Sequence, residues 1–126
     1  CNREMQVEEY KYIMDKSTDE FSDFSEMINS APNIILCLVF PECAFCRQTR
    51  NIVADILLDN PNYFRYIEIS LDYAEINDLI FKYKLNEVPT FLLYKNGKLE
   101  GRIVDVTSKV DLQYKIDEIL NKRNED

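Results

Sequence analysis

Histidine is absent from all 126 residues. Its absence removes Ser-His and Cys-His nucleophilic pairs, together with the commonest side-chain ligand of transition metals. Long hydrophobic runs are missing too. The longest, Ile34 to Phe40, has the length of a strand, well short of the roughly 18 to 20 residues that a membrane-spanning helix needs. Positive charge is in short supply: 15 Lys and Arg against 23 Asp and Glu leave a formal net charge of −8. No basic stripe interleaved with aromatics offsets that balance, so the surface repels phosphates and no nucleic-acid partner is expected. Glycine occurs only twice, and there is no internal repeat or low-complexity segment.

What is present is the composition of a soluble globular domain, 46% hydrophobic and 30% charged, with a length that suits a single core. Residues 1–8 read as a polar tether and residues 9–126 as the domain. "EYKYIM" (9–14) alternates like a short strand. "STDEFSDFSEMIN" offers Ser17, Thr18 or Asp19 as a helix cap, with Phe21, Phe24, Met27 and Ile28 at helical spacing before Pro32. "NIILCLVF" (33–40) is a continuous apolar strand, the pattern of a strand covered on both faces. "RQTRNIVADILLDN" gathers Ile52, Val53, Ile56 and Leu57 on one helical face and ends at Asn60-Pro61. "YFRYIEISLD" alternates as a strand, and "YAEINDLIFKYKL" sets Ile76, Leu79, Ile80 and Tyr83 on a helical stripe. "TFLLYKNGKLEGRIVDV" is a hairpin turned at Asn96-Gly97, where both residues tolerate positive φ. Ser108 with Asp111 opens a last helix that carries Leu112, Ile116, Ile119 and Leu120 inward. The order β-α-β-α-β-α-β-β-α predicts a three-layer α/β domain, a central mixed sheet with helices on both faces.

Four cysteines, Cys1, Cys37, Cys43 and Cys46, are too few for a disulfide-dense miniprotein when the apolar pattern can supply a core. In "FPECAFC", Cys43 and Cys46 stand three positions apart, and three readings stay open: a redox couple, half of a metal site, or a staple. The pair falls just past a buried strand and at the start of a helix. The unpaired N–H groups and positive dipole end of a helix N-terminus stabilise a thiolate there. A second thiol one turn on can resolve the mixed disulfide that the first one forms. Cys43 is therefore the expected nucleophile and Cys46 the expected resolving thiol. Glu42 opposes thiolate formation at Cys43, and Arg47 favours it.

"CAFC" after the apolar strand, with "EVPTFLLYKNGK" some forty residues later, resembles the thioredoxin family in element order from about residue 9 to 120. The resemblance implies a thioredoxin-like three-layer fold and thiol-disulfide exchange with disulfide- or thiol-containing protein substrates, without a cofactor. It implies a cis peptide bond at Val88-Pro89, with Pro89 against the sulfurs and the Val88 backbone pairing with an extended substrate segment; proline alone makes cis cheap. Glu42, Ala44 and Phe45, which flank and separate the cysteines, are expected on the substrate-facing rim. The departures are specific. The family carries Trp before the first cysteine and Gly-Pro between the two, whereas this chain has Glu42, Ala44-Phe45 and no Trp. The family's buried acid falls on Cys37, and its strand lysine falls on Glu68. Glu68 is therefore a candidate proton acceptor for the resolving thiol, with Cys37 filling the vacated space. The plainer alternative makes Cys37 an apolar core residue and Glu68 a solvated one.

A chain that begins at Cys1 also looks like a bacterial lipoprotein after removal of its signal peptide, with lipid on Cys1 and "CNREMQVEE" as the tether. That reading places the protein in the cell envelope, tethered to a membrane and served by a redox partner protein. The alternatives are that Cys1 is only where the sequence starts, and that the protein is cytoplasmic. Two other function classes stand beside exchange catalysis. One is a thioredoxin-like binding or scaffold module with little redox activity. The other is a soft metal site on Cys37, Cys43 and Cys46, which lacks a histidine to complete it.

Overall fold

The computed structural model describes residues 23–40, 43–71, 77–85 and 87–121, and all structural statements concern these residues. The expected strand at 9–14, the expected caps Ser17, Thr18 and Asp19, and the sites Cys1 and Glu42 lie outside them.

Strand β1 (Asn33–Val39) is the centre of the architecture, with five consecutive buried residues from Ile34 to Leu38. Alternate side chains of a strand point to opposite faces, so an uninterrupted apolar run has to be covered on both. That demand is met. Ile35 and Cys37 join one apolar cluster, and Ile34, Leu36 and Leu38 join the other. β1 pairs in parallel with β2 (Arg65–Ser70) on one side. On the other it pairs antiparallel with β3 (Thr90–Lys95), which continues into the edge strand β4 (Lys98–Ile103). The sheet order is β2-β1-β3-β4. The hairpin between β3 and β4 turns at Asn96 and Gly97, both at positive φ (52° and 82°), as the Asn-Gly pair predicts.

Two helices cover the first face. α2 (Ala44–Asp59) contributes Val53, Ile56 and Leu57, and α4 (Lys109–Leu120) contributes Leu112, Ile116 and Leu120. Ser108 caps α4 by accepting the Asp111 N–H at 3.0 Å, while the Asp111 carboxylate accepts the Thr107 N–H. The opposite face is covered by α1 (Phe24–Ile28), which seats Met27 against the sheet, and by α3 (Asn77–Tyr83) through Leu79, Ile80 and Tyr83. Each fully buried aliphatic side chain contributes about 1.5–3 kcal/mol relative to exposure, so these two layers hold the frame.

The described elements run α-β-α-β-α-β-β-α, in agreement with the expected order once the undescribed N-terminal strand is set aside. Helix α2 starts at Ala44, so that Cys46 falls in its first turn as expected, and one boundary differs: β4 ends at Ile103 instead of Val106. That end is set by irregular backbone that includes Asp105 at φ 56°.

Candidate active site

The C-terminal ends of the parallel strands are where α/β sheets place their sites, because the connecting loops open there. Here β1 ends at Val39, and its carbonyl accepts the N–H of Leu71, just past the end of β2. The antiparallel β3 begins at the same end, with Thr90 in register with Leu38. Two loops therefore converge on one edge of the sheet. One leads from β1 to Cys43; the other carries Val88-Pro89 into β3.

Cys43 and Cys46 are joined in a disulfide, with Cα atoms 5.2 Å apart. Cys43 is the N-cap of α2, in extended conformation, and its sulfur accepts the N–H of Cys46 at 3.0 Å. A thiol is not among the usual capping side chains, and this explains why the helix start escapes a capping pattern built on Ser, Thr, Asp and Asn. Chemically it matters more. The Cys43 sulfur sits where a helix N-terminus offers an N–H and positive charge, a place that stabilises negative charge on sulfur once a disulfide is reduced. No acidic side chain stands in the first turn of α2 to oppose it, and Arg47 there is exposed. Cys46 is buried, 2% exposed, whereas Cys43 is half-buried. The accessible sulfur is therefore the N-terminal one. Thr49, buried one turn on, donates its hydroxyl to the carbonyls of Phe45 and Cys46 and tightens the first turn.

Ala44 and Phe45 lie exposed between the cysteines, with Phe45 at 65%. Phe40, at the exit of β1, is 44% exposed. Val88 and Pro89 are half-buried, and the peptide bond between them is cis. The Thr90 hydroxyl donates to the Glu87 carbonyl at 2.5 Å and closes that turn.

On the neighbouring strands β1 and β2, Cys37 and Glu68 are register partners. Cys37 is fully buried, and burial pushes its thiol from 9.0 up to about 12. Glu68 is not a solvated surface residue. Its two carboxylate oxygens accept Nη2 and Nε of Arg50, each at 2.7 Å, and one of them also accepts the Tyr66 hydroxyl at 3.0 Å. Tyr66, itself buried, lies in the same apolar cluster as Cys37. Sequence reasoning brought out Glu68 and Cys37 but passed over Arg50 and Tyr66. The available signals were positional: Arg50 stands four residues after Cys46 on one helix face, and Tyr66 stands two before Glu68 on one strand face. Among the described residues no three His, Cys, Asp or Glu side chains are grouped as metal ligands.

Comparison with known proteins places this arrangement. The chain is 23% identical over 114 residues to the M-type chloroplast thioredoxin of Pisum sativum, covering 90% of this chain and 62% of that protein. It thus spans less than two thirds of the length of that relative. Similar solved structures include oxidised mitochondrial thioredoxin 3 of Saccharomyces cerevisiae, with a TM-score of 0.65, 21% identity, and 87% of this chain and 98% of that one covered. Oxidised thioredoxin of Plasmodium falciparum gives a TM-score of 0.64 at 19% identity, covering 82% and 95%. At these identities the structural likeness speaks for the fold. The sequence model of the thioredoxin family matches residues 14–118, a span that includes both cysteines of the disulfide and Pro89 but not Cys1, and on that match the chain belongs to the thioredoxin family.

Proposed function

We propose that this protein is a thiol-disulfide oxidoreductase that exchanges disulfides with protein substrates through the Cys43-Ala44-Phe45-Cys46 couple. The observation that carries the reading is the helix-capping sulfur of Cys43, half-exposed and paired with the buried Cys46.

In the reduced protein the Cys43 thiolate attacks one sulfur of a substrate disulfide. The substrate S–S bond breaks, a Cys43–substrate disulfide forms, and the first substrate sulfur leaves as a thiolate that takes up a proton. Cys46 then loses its proton and attacks the Cys43 sulfur. The Cys43–substrate bond breaks, and the second substrate thiolate departs. Two electrons have passed to the substrate, and the protein holds the disulfide seen here. Run backwards, the same steps oxidise a dithiol. Glu68 is the acceptor for the Cys46 proton in this scheme, on the strength of its register with Cys37 and its place beside α2.

Substrate contact is assigned to the exposed Phe45 and Ala44, to Glu42 at the edge of the couple, and to the Val88 backbone beside Pro89. An extended segment laid along that edge would meet apolar side chains and an open backbone. A separate redox partner protein, of thiol or disulfide chemistry, returns the couple to its starting state.

Trapping tests this scheme. Cys46→Ser should accumulate a Cys43-linked mixed disulfide with an unfolded, disulfide-containing protein, and Cys43→Ser should accumulate none. Equal trapping by both variants, or by neither, would remove the assignment. A folded protein that exchanges no faster than free thiols would instead be a binding module on the same scaffold.

A further inference from the structure

The cluster around Glu68 contains more than a lone proton acceptor. Glu68 lies in the middle of β2, on the face that packs into the apolar layer under α2 and α4, and its side chain is only 20% exposed. A carboxylate in such a place is penalised as an anion unless donors and a counter-charge compensate it. Three donors do so: two from the fork of the Arg50 guanidinium and one from the Tyr66 hydroxyl. A bidentate guanidinium fixes both the charge and the orientation of the carboxylate. The groups that face Glu68 among the described residues are few. Tyr66 comes from its own strand, Cys37 from β1, and Arg50 from α2, the helix whose first turn holds Cys46.

We propose that Arg50 and Tyr66 are positioning residues for the resolving step: they hold the Glu68 carboxylate in a fixed orientation beside the helix that carries Cys46, and so govern how readily the mixed disulfide is released. The inference rests on Glu68 as the acceptor of the Cys46 proton.

The remaining members of the cluster are neutral in the working range. Burial, reinforced by Cys37 and Glu68, pushes the Tyr66 hydroxyl well above its ordinary 10.0, so it keeps its proton and stays a donor. The Cys37 thiol, at about 12, adds no second negative charge. Among the described residues Glu68 thus faces one cation and two neutral groups. In the step itself the Cys46 S–H bond breaks and its proton passes to a Glu68 oxygen. The sulfur electron pair forms the Cys46–Cys43 bond, the Cys43–substrate bond breaks, and the departing thiolate carries the electron pair away. Glu68 then returns its proton to that thiolate or to water. Without Arg50 the Glu68 carboxylate keeps its partial burial but loses its counter-charge and two of its three donors, which disfavours the anion and weakens the acceptor.

The test is single-turnover release of a chromogenic thiol from the Cys43 mixed disulfide, followed across pH in the full chain. In the wild type the rate should fall on an acid limb. Arg50→Gln should move that limb up by about one pH unit, so that release is about tenfold slower at any pH below both midpoints. Arg50→Lys should restore most of the shift, and Tyr66→Phe should move the limb in the same direction by about threefold in rate. Circular dichroism and thermal unfolding verify each fold; if Arg50→Gln does not fold, Arg50→Lys and Tyr66→Phe carry the test through smaller upward shifts. A limb unmoved in the folded Arg50 and Tyr66 variants but abolished in Glu68→Gln would overturn the positioning role and leave Glu68 as acceptor. A limb unchanged in Glu68→Gln would overturn the acceptor reading itself, and the positioning role with it.

Discussion

Cys37 stands at the register position beside Glu68, and its chemistry separates a two-thiol couple from a three-thiol cluster. Its thiol should be almost inert to alkylation in the folded, reduced protein. Two routes lead to modification, and the faster one sets the rate. Through the native state the thiol is fully buried and titrates at about 12 instead of 9.0. At pH 8 the thiolate is then about a thousandfold scarcer than for an unperturbed cysteine, before any allowance for access. Through local opening, a central strand is exposed only by near-global unfolding; at a stability of about 5 kcal/mol that route is slowed by several thousandfold. Either way the protection is about a thousandfold or more. The assay reduces the protein, removes the reductant, and adds iodoacetamide for graded times. All three thiols fall in one tryptic peptide, so tandem mass spectrometry localises the label, with the same protein in concentrated guanidinium as the reference. Native Cys37 labelling within tenfold of the denatured rate would refute the reasoning, because the strand would then be neither buried nor closed.

Three other outcomes follow from the structure. Stability should decline as pH rises from about 9 toward 12: the unfolded chain releases the Cys37 proton from 9.0 upward while the folded chain holds it to about 12, so stability present below pH 9 is lost by up to about 1.4 kcal/mol per pH unit; a urea midpoint constant from pH 8 to 11 would contradict this. Phe45→Ala should lower kcat/KM for a protein disulfide by about fivefold, since burying part of an exposed phenyl ring against substrate contributes about 1 kcal/mol; an unchanged value would remove Phe45 from the contact surface. Ser108→Ala should cost about 1 kcal/mol in urea unfolding, because the Asp111 N–H loses its acceptor, and a loss below about 0.3 kcal/mol would show that water replaces the cap.

The parts of the fold written in local chemistry were legible in the sequence. "NIILCLVF" announces a doubly covered strand because seven consecutive apolar residues leave no polar face, and β1 occupies Asn33–Val39. Asn96-Gly97 announces its hairpin because few other pairs accept two positive φ angles in succession. Boundaries set by a single side chain were less so. Helix α2 begins at Ala44 because the Cys43 sulfur caps it, a role that the periodicity of Ile52, Val53 and Ile56 cannot reveal. Helix α3 ends in the turn at Lys84, which takes φ 53° without being glycine or asparagine.

The site divides along the same line. The Cys43–Cys46 spacing and the Pro89 segment carry local signatures. The Arg50–Glu68–Tyr66 cluster does not, because Arg50 and Glu68 are 18 residues apart and meet only once β2 is placed beside β1 in a particular register. Aligning "EISLD" with its counterpart strand brought Glu68 forward as a candidate, but nothing in the sequence says that a guanidinium from the preceding helix already holds its carboxylate.

The central claim is that Cys43 and Cys46 form a working couple, and a redox titration tests it most directly. The full chain is equilibrated in glutathione buffers of graded potential, and the Cys43–Cys46 pair is followed by alkylation and mass. The account predicts one two-electron transition, with a tenfold change in the oxidised-to-reduced ratio for every ~30 mV, confined to these two cysteines and absent in Cys43→Ser. A pair that stays fully oxidised or fully reduced from about −320 to −120 mV, or a transition that survives Cys43→Ser, would contradict it.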